Sequence, residues 1–161
     1  MKIQLHAHML AGGAETNPDG TLLLRQAGIG EVNAAGWPAR AEFVLVTRLE
    51  LDIEAASQLH HMSVRIWHDK AGEITTWRQP LAAKVADANR PIYLNLLSTV
   101  QCIVPMEGML GITAHIDELQ LPILRLVART VPGSGSMSPH LRPPDRPFRS
   151  HGRGKRKKRR T

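Results

Sequence analysis

Apolar and polar residues alternate along much of the chain. From Lys2 to Met9, Ile3, Leu5, Ala7 and Met9 fall on one side, and Lys2, Gln4, His6 and His8 on the other. That period of two predicts a half-buried strand. Asn17-Pro18-Asp19-Gly20 is a turn signal, because proline fixes φ and glycine accepts a positive one. A second strand follows over Thr21–Gln26, and Gly28 and Gly30 predict a kink or bulge after it. Gly36-Trp37-Pro38 marks another break. Glu42–Ile53 is the longest strand candidate, with Phe43, Leu45, Leu49, Leu51 and Ile53 on one face and Arg48, Glu50 and Asp52 on the other.

Glu54–Gln58 fits one helical turn or a loop. Leu59–His68 alternates again, with Met62, Val64 and Ile66 inward and His61, Ser63, Arg65 and Trp67 outward. A hairpin loop over His68–Glu73 leads to a short strand near Ile74–Arg78, where Trp77, like Trp67, is expected either to face outward as a binding surface or homodimer contact or to be covered by the Pro80–Arg90 segment. Pro80–Arg90 reads as either a loop or a short helix. Ile92–Val104 is a core strand, Pro105–Gly108 a turn, and Met109–Asp117 a further alternating strand with Leu110, Ile112, Ala114 and Ile116 inward. Leu119–Arg129 closes the series, with Pro122 marking an edge or bulge. Seven or eight strands at this spacing, without a long amphipathic helix, predict an all-β fold: an antiparallel β-sandwich of immunoglobulin-like or jelly-roll-like kind, or a barrel.

Composition divides the chain at residue 130. Of its 21 Lys+Arg and 14 Asp+Glu, ten basic residues and one acid (Asp145) lie in 131–161, leaving eleven basic and thirteen acidic residues in 1–130. The segment 131–161 also holds five of the 11 prolines and almost no apolar side chains. Such a stretch does not bury enough surface to offset the entropy of ordering it, so a disordered tail is expected after a single domain spanning 1–130. Aromatics make up 4% of the chain, so Leu, Ile, Val and Met must fill the core. The single cysteine, Cys102, excludes an intramolecular disulfide and sits in an apolar run, as a buried inert thiol would. Gln4, His6 and His8 interrupt any signal-peptide core, and the run Ile92–Val104 falls short of the about 20 residues a membrane helix needs. A cytoplasmic protein without a transmembrane segment is expected.

The tail carries the clearest chemistry. Lys155, Arg156, Lys157, Lys158, Arg159 and Arg160 are consecutive, and Arg149 and Arg153 precede them. Crowded like charges gain most by meeting a polyanion and releasing its condensed counterions, which points to DNA or RNA bound without sequence preference. A solubilising terminus, or a contact with an anionic membrane or acidic protein, is the other reading. His6-Ala-His8 is the second feature. On a regular strand its imidazoles share a face, as metal ligands would, with His115 and Asp117 as further candidates if strand order brings them near. Histidines on a polar strand face are more often plain surface residues. No nucleophile elbow, P-loop or dinucleotide-binding motif is present, so no catalytic residue and no cofactor is assigned. The reading is a non-enzymatic binding or accessory protein. The alternatives are a small metal-dependent β-barrel enzyme using His6 and His8, or an oligomeric structural protein joined through strand edges and Trp67.

The order of segments resembles an uncharacterised bacterial family of small β-sandwich proteins, catalogued as a domain of unknown function. The likeness rests on Leu5–Ala11, Gly20–Ile29, the Trp37-Pro38 break and the long strand Phe43–Leu51, then on Pro105–Gly108, Leu110–Asp117 and Leu121-Pro122-Ile123 before Leu126-Val127. It spans about residues 3–130 and departs at the Asn17–Gly20 loop and the basic tail. The resemblance implies a sandwich and brings no catalytic residues with it.

Overall fold

The computed structural model describes residues 2–83 and 90–132. The strands are β1 (Ile3–Ala11), β2 (Gly13–Thr16), β3 (Leu22–Arg25), β4 (Glu31–Ala34), β5 (Ala39–Leu51), β6 (His60–His68), β7 (Gly72–Leu81), β8 (Ile92–Val104), β9 (Gly108–Ile116), β10 (Leu119–Gln120) and β11 (Leu124–Thr130). One helical turn, α1 (Ile53–Ala56), follows β5 and is capped by the Asp52 carboxylate, which accepts from the Ala55 N–H at 2.7 Å. The fold is an all-β sandwich, as the alternation predicts. The eleven strands among the described residues exceed the expected seven or eight because β2, β4 and β10 have only four, four and two residues. Segments that short show no alternation to read.

One sheet has the order β1-β5-β8, and the larger one β4-β11-β9-β6-β7 with β10 against β9. Their inner faces supply the core: Phe43, Leu45, Leu49, Leu96, Val100 and Val104 on one side, and Met62, Val64, Ile66, Leu110, Ile112 and Leu126 on the other. Each such side chain contributes about 1.5–3 kcal/mol when fully buried. All pairings are antiparallel except β4 with β11, which is parallel. The chain reaches β4 through Gly28, at φ +77, whose N–H donates to the Leu10 carbonyl. It then crosses to the larger sheet, where Val127 N–H donates to the Gly30 carbonyl, and enters beside β11 at the end from which β11 itself runs.

The β2–β3 hairpin packs on the outer side of the smaller sheet, against β5 and β8. At its turn the Gly20 carbonyl accepts from Asn95 Nδ2 at 3.0 Å. Val46, on the outer side of β5, is consequently fully buried. The Trp77 expectation is corrected by register. Trp77 lies opposite Val64, so it faces inward and packs against the core. The break expected at Pro122 separates β10 from β11. Residues 84–89, within the ambiguous Pro80–Arg90 stretch, and the tail from 133 onward lie outside the described residues.

Candidate functional site

A bulge between Leu5 and Ala7 decides the fate of the His6-Ala-His8 pair. Leu5 pairs with Leu49 but Ala7 pairs with Arg48, so the extra residue turns His8 to the opposite face from His6. His6 lies outside, 2.7 Å from Glu50 Oε2 and edge-on to the Tyr93 ring at 5.5 Å between centroids. The Arg48 guanidinium sits 4.6 Å over that same ring. His8 turns inward, with Nδ1 2.9 Å from the buried Thr47 hydroxyl. Burial holds its pKa down at about 4, and its Nε2 meets no hydrogen-bond partner among the described residues. His115 lies on the other sheet, opposite Ser63 and Gln120, and Asp117 follows the end of its strand. The four candidates are therefore not brought together. Among the described residues no group of three or more His, Cys, Asp or Glu is placed to hold a metal ion.

Asp117 instead joins His60, a residue outside those four candidates. Its Oδ2 lies 2.6 Å from Nδ1 of buried His60, and its Oδ1 accepts from the His61 N–H at 2.9 Å. His60 Nε2 lies 2.8 Å from the Ala55 carbonyl. Both ring nitrogens thus face acceptors, and both can be satisfied only if both carry hydrogens, which describes an imidazolium. Burial works against that charge, but the Asp117 bond, the Ala55 carbonyl and the Asp117 charge together raise the His60 pKa. The His60 bond in turn lowers that of Asp117. A histidine–aspartate pair of this kind activates a nucleophile only when the second ring nitrogen is open. Here the helical turn occupies it, so the pair ties α1 to the end of β9. The one sequence signal was Asp117 itself, which ends an alternating strand and adopts φ +50.

His68 is closed in a similar way. Its Nδ1 accepts from the N–H groups of Lys70 and Ala71 at 3.1 and 3.2 Å, so it carries no hydrogen, and Nε2 faces the Met106 carbonyl. The ring pins the β6–β7 turn to the chain before β9. Cys102 is buried, as its apolar surroundings predict, and burial raises its thiol pKa. An open groove of about 460 Å³ beside β1 and α1 is lined by Lys2 and Arg90 together with Glu50, Asp52 and Glu54, a mixed set of charges.

The outer face of the larger sheet is different in kind. Trp67 faces outward there, opposite Gly111 on β9. A Cβ built on Gly111 would stand 2.2 Å from Trp67 Cε2, so the ring lies directly on the glycine backbone. Arg65, Arg78, Arg125 and Arg129 are exposed on the same face. Arg65 is paired with Glu73 at 2.7 Å and Arg129 with Glu31 at 3.3 Å. The tail positions Arg149, Arg153 and 155–160 lie outside the described residues. No helix among the described residues is long and apolar enough to cross a membrane. No family model and no curated protein matches this chain.

Proposed function

We propose that this is a non-enzymatic binding or accessory protein whose basic tail holds DNA or RNA without reading sequence. The observation that carries the reading is the segregation of charge: ten Lys+Arg and a single acid in 131–161, beside a body in which acids outnumber bases. Lys155, Arg156, Lys157, Lys158, Arg159 and Arg160 form the contact, with Arg149 and Arg153 extending it. Phosphate neutralisation supplies the affinity through counterion release, and it carries no information about bases. A cytoplasmic setting suits such a protein, and the single cysteine is in keeping with a reducing compartment.

The test compares the full-length chain with a full-length variant in which residues 155–160 are all glutamine. Binding to a duplex DNA is titrated over a range of salt. Six phosphate contacts give a log K that falls by about 5 for each tenfold rise in salt, and the variant loses that slope. Identical slopes for the two proteins overturn the proposal.

A further inference from the structure

The geometry of the larger sheet points to a second nucleic-acid surface on the body: we propose that its outer face binds single-stranded nucleic acid, with a base stacked on Trp67 and phosphates held by Arg125 and Arg78. This deepens the tail reading by naming where the bases go, and it stands on separate residues.

Three features converge on that face. The first is the platform. Trp67, Gly111 and Arg125 are direct cross-strand neighbours on β6, β9 and β11, so they form one row across the sheet. At strand spacings near 4.8 Å, the Cα atoms of Trp67 and Arg125 stand about 10 Å apart. Gly111 has no side chain to lift the indole, so the ring rests on the sheet with its other side directed away from the backbone. Successive bases of a single strand stack on such a ring whatever their identity, whereas a duplex keeps its base faces covered.

The second feature is charge. Arg65 and Arg129 already have glutamate partners, but Arg78 and Arg125 are exposed and have no ion pair among the described residues. Arg78 pairs with Ser63, which itself pairs with His115, and Arg65 pairs with Thr113 in the row between that one and Trp67. Cationic and hydrogen-bonding groups thus flank the ring along the strands, on a body whose overall charge is slightly acidic. An aromatic flanked by arginines that have no ion pair among the described residues suits a phosphate backbone with bases attached. The third feature is continuity. β11 carries Arg125 and Arg129, and the basic segment follows it in the sequence.

A tryptophan over a cross-strand glycine also stabilises a sheet by filling the gap, so the test needs readouts that packing alone does not move. The 155–160 glutamine variant, still full length, is titrated at low salt with a labelled oligo-dT while tryptophan emission is followed. Residual binding with quenched emission is expected. Arg78→Ala with Arg125→Ala weakens it about tenfold without changing the circular dichroism spectrum. Trp67→Phe keeps a smaller platform, weakens binding by up to about tenfold, and removes most of the quench, since Trp37 and Trp77 face the core. No residual binding by the glutamine variant, or binding that the double arginine variant leaves within about twofold, overturns this inference and leaves the tail reading standing. Displacement of the oligonucleotide by poly-glutamate at equal charge overturns it in favour of an acidic protein partner. Equal binding by wild type and glutamine variant, lost on changing Arg78 and Arg125, removes the tail reading and keeps this one.

Discussion

His8 and His60 both sit in strands at the interior, and their surroundings drive their protonation in opposite directions. His8 has one hydroxyl partner, and its Nε2 meets none among the described residues, so a second proton there finds no acceptor among them. The unfolded chain takes up that proton below about 6.5, while the folded protein resists it down to about 4. Stability therefore falls as pH drops across that window, by on the order of 2 kcal/mol after allowing for the ring's partial exposure. His60 has the reverse sign. Its folded pKa is raised above 6.5, so its contribution is complete below 6.5 and is lost as pH rises through the folded value. Asp117 adds a contribution that is present above 3.8 and lost as pH falls through its depressed value. The two histidines together place a stability maximum near pH 6.5, measurable as a urea midpoint at successive pH values. His8→Gln keeps a partner for Thr47 and flattens the acid limb. Asp117→Asn, which tolerates the same positive φ, flattens the alkaline limb and costs about 1–2 kcal/mol, the carboxylate being partly open to water.

At the scale of elements, one inserted residue in β1 and one missing side chain in β9 determine what each outer face offers. The bulge at His6–Ala7 lets Leu5 and Leu10 both reach the core although they are five residues apart, an odd spacing that a regular strand would send to opposite faces. Strict alternation over Ile3–Met9 was therefore legible only as far as Leu5, and the pairing of His6 with His8 went with it. On β9, Gly111 is the seat of Trp67. Gly111→Ala would drive a methyl to 2.2 Å from the indole, and the ring must lift. The expected cost is about 1–3 kcal/mol, the range of other overpacked substitutions, with a red-shifted tryptophan emission as the ring leaves the sheet. A midpoint and spectrum equal to wild type would mean that the ring does not rest there. That Trp67 faces outward was readable from Met62, Val64 and Ile66 around it. Trp77 was not, because only its register opposite Val64 turns it inward.

For the molecule as a whole, the sandwich separates a neutral face from a basic one. The smaller sheet shows the Arg48–Tyr93–His6–Glu50 cluster and is partly roofed by the β2–β3 hairpin. The larger sheet shows Arg78 and Arg125, which have no ion pair among the described residues, and its strand β11 precedes the tail in the sequence. Association should consequently depend on salt through two sets of charges, with Arg78 and Arg125 contributing about 1.4 to the shallower slope that the 155–160 glutamine variant retains on single-stranded DNA. A salt titration of that variant against single-stranded DNA measures this; a slope indistinguishable from zero would leave the face without a role.

The sequence by itself determined the all-β class, the inward sets on β5, β6, β8 and β9, the turn at Asn17–Gly20 and the concentration of positive charge after residue 130, because each is a local property of period or composition. The tertiary structure alone decided which histidines meet which partners, with His60 meeting Asp117 and His6 meeting Glu50, that β4 runs parallel to β11, and that Trp67, Gly111 and Arg125 share a row. Those facts depend on register and on a bulge, where a shift of one residue exchanges the faces of everything beyond it.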